Sequence, residues 1–281
     1  MITQHLKRAI LASLVLAASS LAAQNGAPSP DPRVGLRAGW WDAANTAWNL
    51  RLVSTSRPAT AFIPAEAGDF NYMNSDLAFK GNFVFQGNFQ GVSVWDVTNP
   101  TQPRLVHAEV CPEQQNDVSV YRNLLFLSGE SGNGRVDCGT QGVNEPVSPQ
   151  RMRGVRVLDI TDLTHPRVVA NVQTCRGSHT HTLVTDPKDT SVVYIYVSGQ
   201  APVRPAEELA GCSSALPAED TASAKFRIDI IRVPLAHPEQ AAIVSRPRIF
   251  EALADPRVHG PTPADSAAAA READSARAAG G

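Results

Sequence analysis

The sequence predicts an all-β fold, a β-propeller-like array of about three four-stranded blades with a short N-terminal helix and an Ala-rich C-terminal tail. The main observation is a repeat, because VSVWDVTNPTQPRLV at 92–106 returns as VRVLDITDLTHPRVV at 155–169. A weaker third copy occupies 228–244. In each copy apolar residues alternate with other residues, as they do in a strand that buries one face. Repeats of several short strands divided by turn residues are typical of propeller blades.

The composition is that of a globular protein and argues against nucleic-acid binding. The chain has 281 residues, of which 43% are hydrophobic and 19% charged, and its formal net charge is −2. Beyond the first residues it has no run of Lys and Arg. A nucleic-acid surface needs such clustered cations to displace counterions from phosphates.

Residues 1–23 predict a cleaved signal peptide. Lys7 and Arg8 precede a mostly apolar run, and Ser20 with Ala22 fits a small-x-small cleavage pattern. The apolar run is much shorter than the roughly 20 residues that span a bilayer. We therefore expect an exported protein without a membrane span after cleavage, located in the periplasm, at the cell surface or outside the cell.

Residues 24–70 predict a Pro- and Gly-rich linker followed by one short helix with Asp42 as its N-cap. The helix is expected to pack on the main domain as an aromatic plug, with carbohydrate stacking as the alternative. Its apolar residues recur at roughly helical spacing: Trp40, Trp41, Ala44, Trp48 and Leu52.

Residues 71–250 predict the repeats, and residues 251–281 predict a low-complexity tail that is either a solvated helix or disordered. The second and third blades each carry a long insertion between their second and third strands. Alternating strand direction places both insertions on the face that also carries the links between blades. The expected blades lie at about 75–111, 116–175 and 180–250, and the insertions at 130–153 and 200–225.

Four cysteines in an exported chain predict disulfide bonds. Cys111 and Cys175 both follow a fourth strand, whereas Cys138 and Cys212 both lie in insertions. Equivalent positions should make equivalent bonds, which favours Cys111–Cys138 and Cys175–Cys212 among the three connectivities that four cysteines allow.

The starts of the innermost strands supply a candidate metal site. Asp76, Asp117 and His181 begin the first strand of the three blades, and His179 lies two residues before His181. Carboxylates and imidazoles that converge on one axis could bind a divalent cation. The alternative is that these polar side chains cap turns and fill the channel with hydrogen bonds.

Other polar residues favour structural roles, and none is predicted to be catalytic. Asp96 and Asp159 each lie two residues before a Thr that opens a turn, where a carboxylate accepts backbone N–H bonds. Ser178-His179 and Ser198-Gly199 lack the GxSxG elbow of a serine hydrolase.

The segments 92–96 and 155–159, each followed by a Pro-containing turn, resemble the LVIVD-repeat proteins, an exported bacterial family with a propeller fold. GSHTHTLVTDP, CGTQGV and PLAHPEQAAIV strengthen the likeness, which covers roughly residues 70–250. Closed propellers usually have 4–8 blades. Because family members usually carry more repeats, the resemblance implies a short or C-terminally truncated member.

We therefore expect a non-catalytic exported protein that presents loops on a rigid base to a protein or glycan partner. Self-association through open blade edges is a further expectation. Two alternatives remain open: a metal-dependent hydrolase with its site at the channel mouth, and a non-functional fragment of a longer propeller.

Overall fold

The computed structural model describes residues 28–249 and 260–278, and it contains three four-stranded antiparallel sheets. Each sheet holds its strands in chain order, so the array is that of an incomplete β-propeller, as the repeat predicts. Blade 1 consists of β1 (Asn74–Lys80), β2 (Phe83–Asn88), β3 (Gly91–Asp96) and β4 (Arg104–Val110). Blade 2 consists of β5 (Val118–Tyr121), β6 (Leu124–Gly129), β7 (Gly154–Asp159) and β8 (Arg167–Gln173). Blade 3 consists of β9 (Thr182–Asp186), β10 (Asp189–Val197), β11 (Asp229–Pro234) and β12 (Ala242–Ser245).

The blades are joined by two apolar cores, and blade 2 contributes to both. Leu125 and Phe126 are neighbours on β6, so their side chains point to opposite faces of the sheet. Leu125 packs with Phe85 of blade 1, and Phe126 packs with Ile195 of blade 3. All four side chains are fully buried, and burying each one stabilises the fold by about 1.5–3 kcal/mol.

The third strands of blades 1 and 2 begin with glycines at equivalent positions. Gly91 and Gly154 have φ values of +149° and +147°. A Cβ atom would lie 1.9 Å from the carbonyl oxygen of Glu109 at Gly91, and 2.0 Å from that of Val172 at Gly154. Only glycine fits here, because the fourth strand approaches the backbone too closely for any side chain.

The prediction of an N-terminal helix is wrong. Around Trp40 the described chain forms only a turn at 40–42, followed by irregular chain with a bend at 48–49. Asp42 accepts a hydrogen bond from Arg37 (Nη1 to Oδ2, 2.7 Å), so its carboxylate serves this turn and caps no helix. The prediction that these aromatic side chains pack on the main domain is also wrong, because Trp40, Trp41 and Trp48 are 46%, 42% and 45% exposed. Trp40 and Trp41 instead stack on each other with ring centroids 5.1 Å apart.

The Ala-rich tail contains one helix, α1 (Pro263–Ala278), and its described side chains are exposed, as expected of a solvated helix. Thr262 precedes the helix, and its hydroxyl accepts the N–H of Asp265 at 3.2 Å. The expected signal peptide lies outside the described residues. Within the described ranges, no helix has both the length and the apolar character needed to cross a membrane.

Each insertion is tied by one disulfide bond to the blade link that precedes it in the chain. Cys111 bonds Cys138 across 27 residues, and Cys175 bonds Cys212 across 37 residues, which is the predicted pairing. Equivalent blade links and insertions thus meet on one face. We call this the insertion face: the links 111–117 and 174–181 together with the insertions 130–153 and 198–228.

A buried ion pair joins the two insertions to each other. Glu208 in the blade 3 insertion pairs with Arg151 in the blade 2 insertion and, at 2.7 Å, with Arg204. The Glu208 carboxylate is completely buried. Arg153 adds a hydrogen bond to the carbonyl oxygen of Pro202 at 3.1 Å. A buried charge is tolerated only when it is paired, so these contacts fix the two insertions as one surface.

Candidate functional site

A buried imidazole lies where the inner strands of blades 2 and 3 begin. The His181 side chain is completely inaccessible to solvent. Its Nε2 lies 2.6 Å from the Ser119 hydroxyl, and its Nδ1 lies 2.8 Å from the Ser128 hydroxyl. Both hydroxyls belong to blade 2, on β5 and β6, so this histidine also links blades 2 and 3.

The surrounding hydrogen bonds determine which ring nitrogen carries the proton. Ser178 donates its only hydroxyl hydrogen to the Thr180 carbonyl oxygen at 3.1 Å, so it accepts the hydroxyl hydrogen of Ser128 at 2.8 Å. Ser128 then accepts the Nδ1–H of His181. The Nε2 atom of the neutral ring is therefore an acceptor, and the Ser119 hydroxyl donates to it.

Two carboxyl groups flank this imidazole. Asp117 Oδ2 lies 3.2 Å from His181 Nδ1 and accepts the backbone N–H of His181 at 3.0 Å. Burial, opposed by that N–H bond and reinforced by the neighbouring Asp76 carboxyl, raises the pKa of Asp117 to about 6. Burial lowers the pKa of His181 to about 4, against the attraction of Asp76. The imidazole is neutral at pH 7.

The four proposed metal ligands do not form one coordination site. His179 turns towards Glu130, with Nδ1 and Oε1 2.6 Å apart, whereas the ring nitrogens of His181 face serine hydroxyls. Across the described ranges, no group of three or more His, Cys, Asp or Glu side chains is arranged to hold a metal ion. The geometry therefore gives the metal hypothesis no support. Asp117 and His181 do come together through direct contacts, and the Asp76 carboxyl is close enough to raise the pKa of both.

The sequence interpretation overlooked Ser119 and Ser128, although a signal for Ser119 was present. Asp117 and Ser119 are two residues apart at the start of a strand, and side chains at that spacing share one face. A group that contacts Asp117 on this face of the strand is therefore expected to lie close to Ser119 as well. Ser128 is on the adjacent strand β6, and no local pattern connects it to His181.

The two turn aspartates make the bonds expected of a structural role. Asp96 Oδ1 accepts the N–H of Thr98 at 2.9 Å, and Asp159 Oδ1 accepts that of Thr161 at 2.9 Å. Arg104 and Arg167 bind the second carboxylate oxygens at 3.0 Å and 3.1 Å. Hydrogen bonds from the Thr residue lower the pKa of each aspartate, with a smaller effect of the arginine.

A separate cleft opens on the insertion face between blades 1 and 2. It has a volume of about 740 Å³. The segment before β1, the β2–β3 turn, the link after Cys111 and the blade 2 insertion all contribute walls. The lining residues are Asp69, Asn71, Tyr72, Phe89, Gln90, Pro112, Gln114, Ser131, Gly132, Asn133 and Thr140.

One wall of the cleft is held in an unusual backbone conformation. Gln114, Gln115 and Asn116 have φ values of +62°, +42° and +49°, a left-handed region that side-chain-bearing residues rarely occupy. Asn116 maintains this link because its Nδ2 donates to the carbonyl oxygens of Asn88 and Cys111 at 2.9 and 3.1 Å. Such strain tends to persist at binding sites, where the surrounding structure over-determines it.

Several polar groups in the cleft are available to a ligand. Within the described part of the chain, the Tyr72 hydroxyl, the Gln114 side-chain amide and Asn133 Nδ2 make no hydrogen bond. Other groups are already fixed, since Gln90 Nε2 donates to the Asn71 carbonyl oxygen at 2.8 Å. The lining includes one carboxylate, Asp69, and neither Lys nor Arg. The cleft therefore combines aromatic surface with neutral donors and acceptors.

Comparisons with known proteins give no family. No family model and no curated protein matches the chain. Among solved structures, apo AztD from Citrobacter koseri is similar over 67% of this chain and 39% of its own, with 11% identity and a TM-score of 0.31. A second AztD crystal structure from Citrobacter koseri is similar over 63% of this chain and 58% of its own, with 8% identity and a TM-score of 0.22. The chain thus spans less than two thirds of either structure.

Proposed function

We propose that the protein is an exported, propeller-like binding protein that takes a neutral glycan into the cleft between blades 1 and 2. The cleft itself is the observation that carries the proposal. Its volume of about 740 Å³ is within the usual range for sites that hold small ligands. The two disulfide bonds agree with an oxidising compartment outside the cytoplasm.

The chemistry of the lining favours sugars over charged ligands. Tyr72 and Phe89 are half-buried, and rings in this position offer apolar faces to the C–H surface of a sugar. Gln114 and Asn133 offer amide donors and acceptors that match sugar hydroxyl groups. An anionic ligand would meet Asp69 and no lining cation, so it would lose hydration without gaining an ion pair.

The cleft is also prepared in advance for binding. Its walls are fixed by the Cys111–Cys138 bond, by the Asn116 hydrogen bonds and by the buried ion pair that joins the insertions. A rigid site loses little conformational entropy when a ligand enters. This rigidity favours a small preformed ligand over a partner that would have to reshape the loops.

The test is a binding screen with a panel of neutral oligosaccharides, followed by calorimetry on the best ligand. Tyr72→Ala and Gln114→Ala should each weaken binding about tenfold or more, which corresponds to about 1.4 kcal/mol. Gln102→Ala is the matched control, since Gln102 is an exposed glutamine in the β3–β4 turn, outside the cleft.

Two results would refute the proposal. One is that no neutral oligosaccharide binds at millimolar concentration. The other is that the best ligand binds the Tyr72 and Gln114 variants as tightly as the unchanged protein. Binding by an added protein that is insensitive to both cleft variants would instead favour a protein partner on another surface.

A further inference from the structure

The cluster around His181 contains a serine hydroxyl in the position of an activated nucleophile. Ser119 Oγ lies 2.6 Å from His181 Nε2, and the hydrogen-bond chain through Ser128 and Ser178 leaves that nitrogen without a proton. A neutral imidazole that accepts a serine hydroxyl bond is the base of a Ser–His pair. Ser119 is half-buried, so part of its surface remains open to a substrate.

A third group lies where the pair would need it. When the imidazole takes a proton it becomes a cation, and Asp117 Oδ2 lies 3.2 Å from Nδ1. Ser128 accepts the Nδ1–H at 2.8 Å and so keeps the ring oriented. A carboxylate beside the far nitrogen and a fixed ring orientation are the two contributions that the third member of a catalytic triad makes.

We propose that Ser119, His181 and Asp117 form an acyl-transfer site that hydrolyses neutral carboxylic esters. Ser119 Oγ attacks the ester carbonyl carbon while its proton passes to His181 Nε2. The carbonyl–alkoxy bond then breaks, and the departing oxygen takes that proton and leaves as an alcohol. Water attacks the acyl-serine in the same manner, with His181 as base, and releases the carboxylic acid and the free hydroxyl of Ser119.

Charge at the site selects the substrate class. Asp76 and Asp117 are both beside the imidazole, so a substrate that carries a carboxylate or phosphate near its ester would be repelled. Phe126 packs edge-on against the His181 ring with centroids 6.5 Å apart, and it closes one side with apolar surface. We therefore expect esters of short neutral acyl groups as substrates.

The repeat itself provides a variant that should fold. Ala78 occupies in blade 1 the position that Ser119 occupies in blade 2, two residues after Asp76 and Asp117 respectively. Ala78 is buried in the core between blades 1 and 2. Alanine is therefore compatible with this strand position, and Ser119→Ala removes the nucleophile without a foreseeable change in the blade.

The experiment treats the purified protein with a neutral fluorophosphonate probe and locates the label by mass spectrometry of tryptic peptides. The peptide 105–122 contains Ser119 as its only serine, whereas Ser128 falls in 123–135, so the site of labelling is unambiguous. We expect the label on Ser119 and hydrolysis of a short-chain nitrophenyl ester. Ser119→Ala should lose both, and His181→Gln should lower both at least 100-fold, within the range of general-base contributions.

Ser75→Ala is the matched control, because Ser75 is a half-buried serine on the first strand of blade 1 that donates to the Asn116 carbonyl oxygen at 3.3 Å. It should keep full labelling and hydrolysis. No label on the unchanged protein, a label on any other serine, or equal labelling of the His181→Gln variant in its folded form would overturn the proposal. If His181→Gln does not fold, the Ser119→Ala comparison decides alone.

Discussion

Arg156 and Glu113 form an ion pair that is almost completely buried, with Arg156 Nη2 and Glu113 Oε1 2.5 Å apart and side-chain exposures of 1% and 2%. Arg156 is on β7, and Glu113 is in the link between blades 1 and 2. The same guanidinium donates to the carbonyl oxygens of Arg135 and Val136, at the base of the blade 2 insertion. This pair therefore positions the strained wall of the cleft relative to the insertion opposite it.

Arg156→Met should destabilise the protein by about 3–5 kcal/mol, because it leaves the Glu113 carboxyl buried without its cation. It should also remove the two carbonyl contacts to the insertion. Urea unfolding followed by tryptophan fluorescence measures the change. Arg167→Met is the control, since Arg167 pairs with Asp159 at 3.1 Å on the exposed surface, where such a pair contributes about 0–1 kcal/mol. Equal losses in the two variants would contradict this account.

Gly154→Ala should be among the most damaging single substitutions in blade 2. The added Cβ would meet the Val172 carbonyl oxygen at 2.0 Å, and a backbone of φ +147° is itself unfavourable for alanine. We expect a loss of more than about 3 kcal/mol in unfolding free energy. Gly81→Ala is the matched control, because Gly81 also has positive φ, +57°, but faces open space, and it should cost only about 1 kcal/mol.

The His181 imidazole should remain neutral in the folded protein down to about pH 4, and NMR titration of its ring protons measures this directly. An unfolded histidine protonates near 6.5. Since the unfolded chain then binds more protons, His181 by itself makes the unfolding free energy fall as the pH drops from about 6.5 to 4. The raised pKa of Asp117 has the opposite effect between about pH 4 and 6.

Asp76→Asn tests the contribution of the Asp76 carboxyl to both pKa values. The Asp76 carboxyl raises the pKa of both His181 and Asp117, so its neutralisation should lower both values. Leu77→Asn, next to Asp76 on the exposed surface of β1, changes no charge and should leave both pKa values unchanged. A His181 ring that titrates near 6.5 in the unchanged protein would show that the imidazole is not buried as described.

The blades could be predicted from the sequence because each copy of the repeat alternates apolar with other residues. A strand that buries one face in a blade requires this alternation. The disulfide pairs followed for the same reason, since Cys111 and Cys175 occupy equivalent links and Cys138 and Cys212 equivalent insertions. The prediction of a helix around Trp40 was wrong because it rested on the spacing of apolar residues alone. That spacing does not show that Asp42 binds Arg37 within a turn.

The candidate sites were less predictable, because they depend on contacts between blades. The proximity of Asp117 to His181 followed from their equivalent strand positions, but the contact of Ser128 with His181 depends on how two sheets pack. The cleft was not predicted at all. It requires three consecutive left-handed residues from Gln114 to Asn116, and their side chains give little indication of that conformation.

Leu125 and Phe126 are adjacent on β6, and their side chains lie in different apolar cores. The middle sheet therefore contributes one face to each core. If either terminal sheet came loose, one interior would be exposed to water and the other would survive. Opening of the middle sheet would expose both apolar cores to water at once. Resistance to unfolding is therefore greatest at the centre of the array, and Ser119 and Ser128 lie on that most persistent part of the molecule.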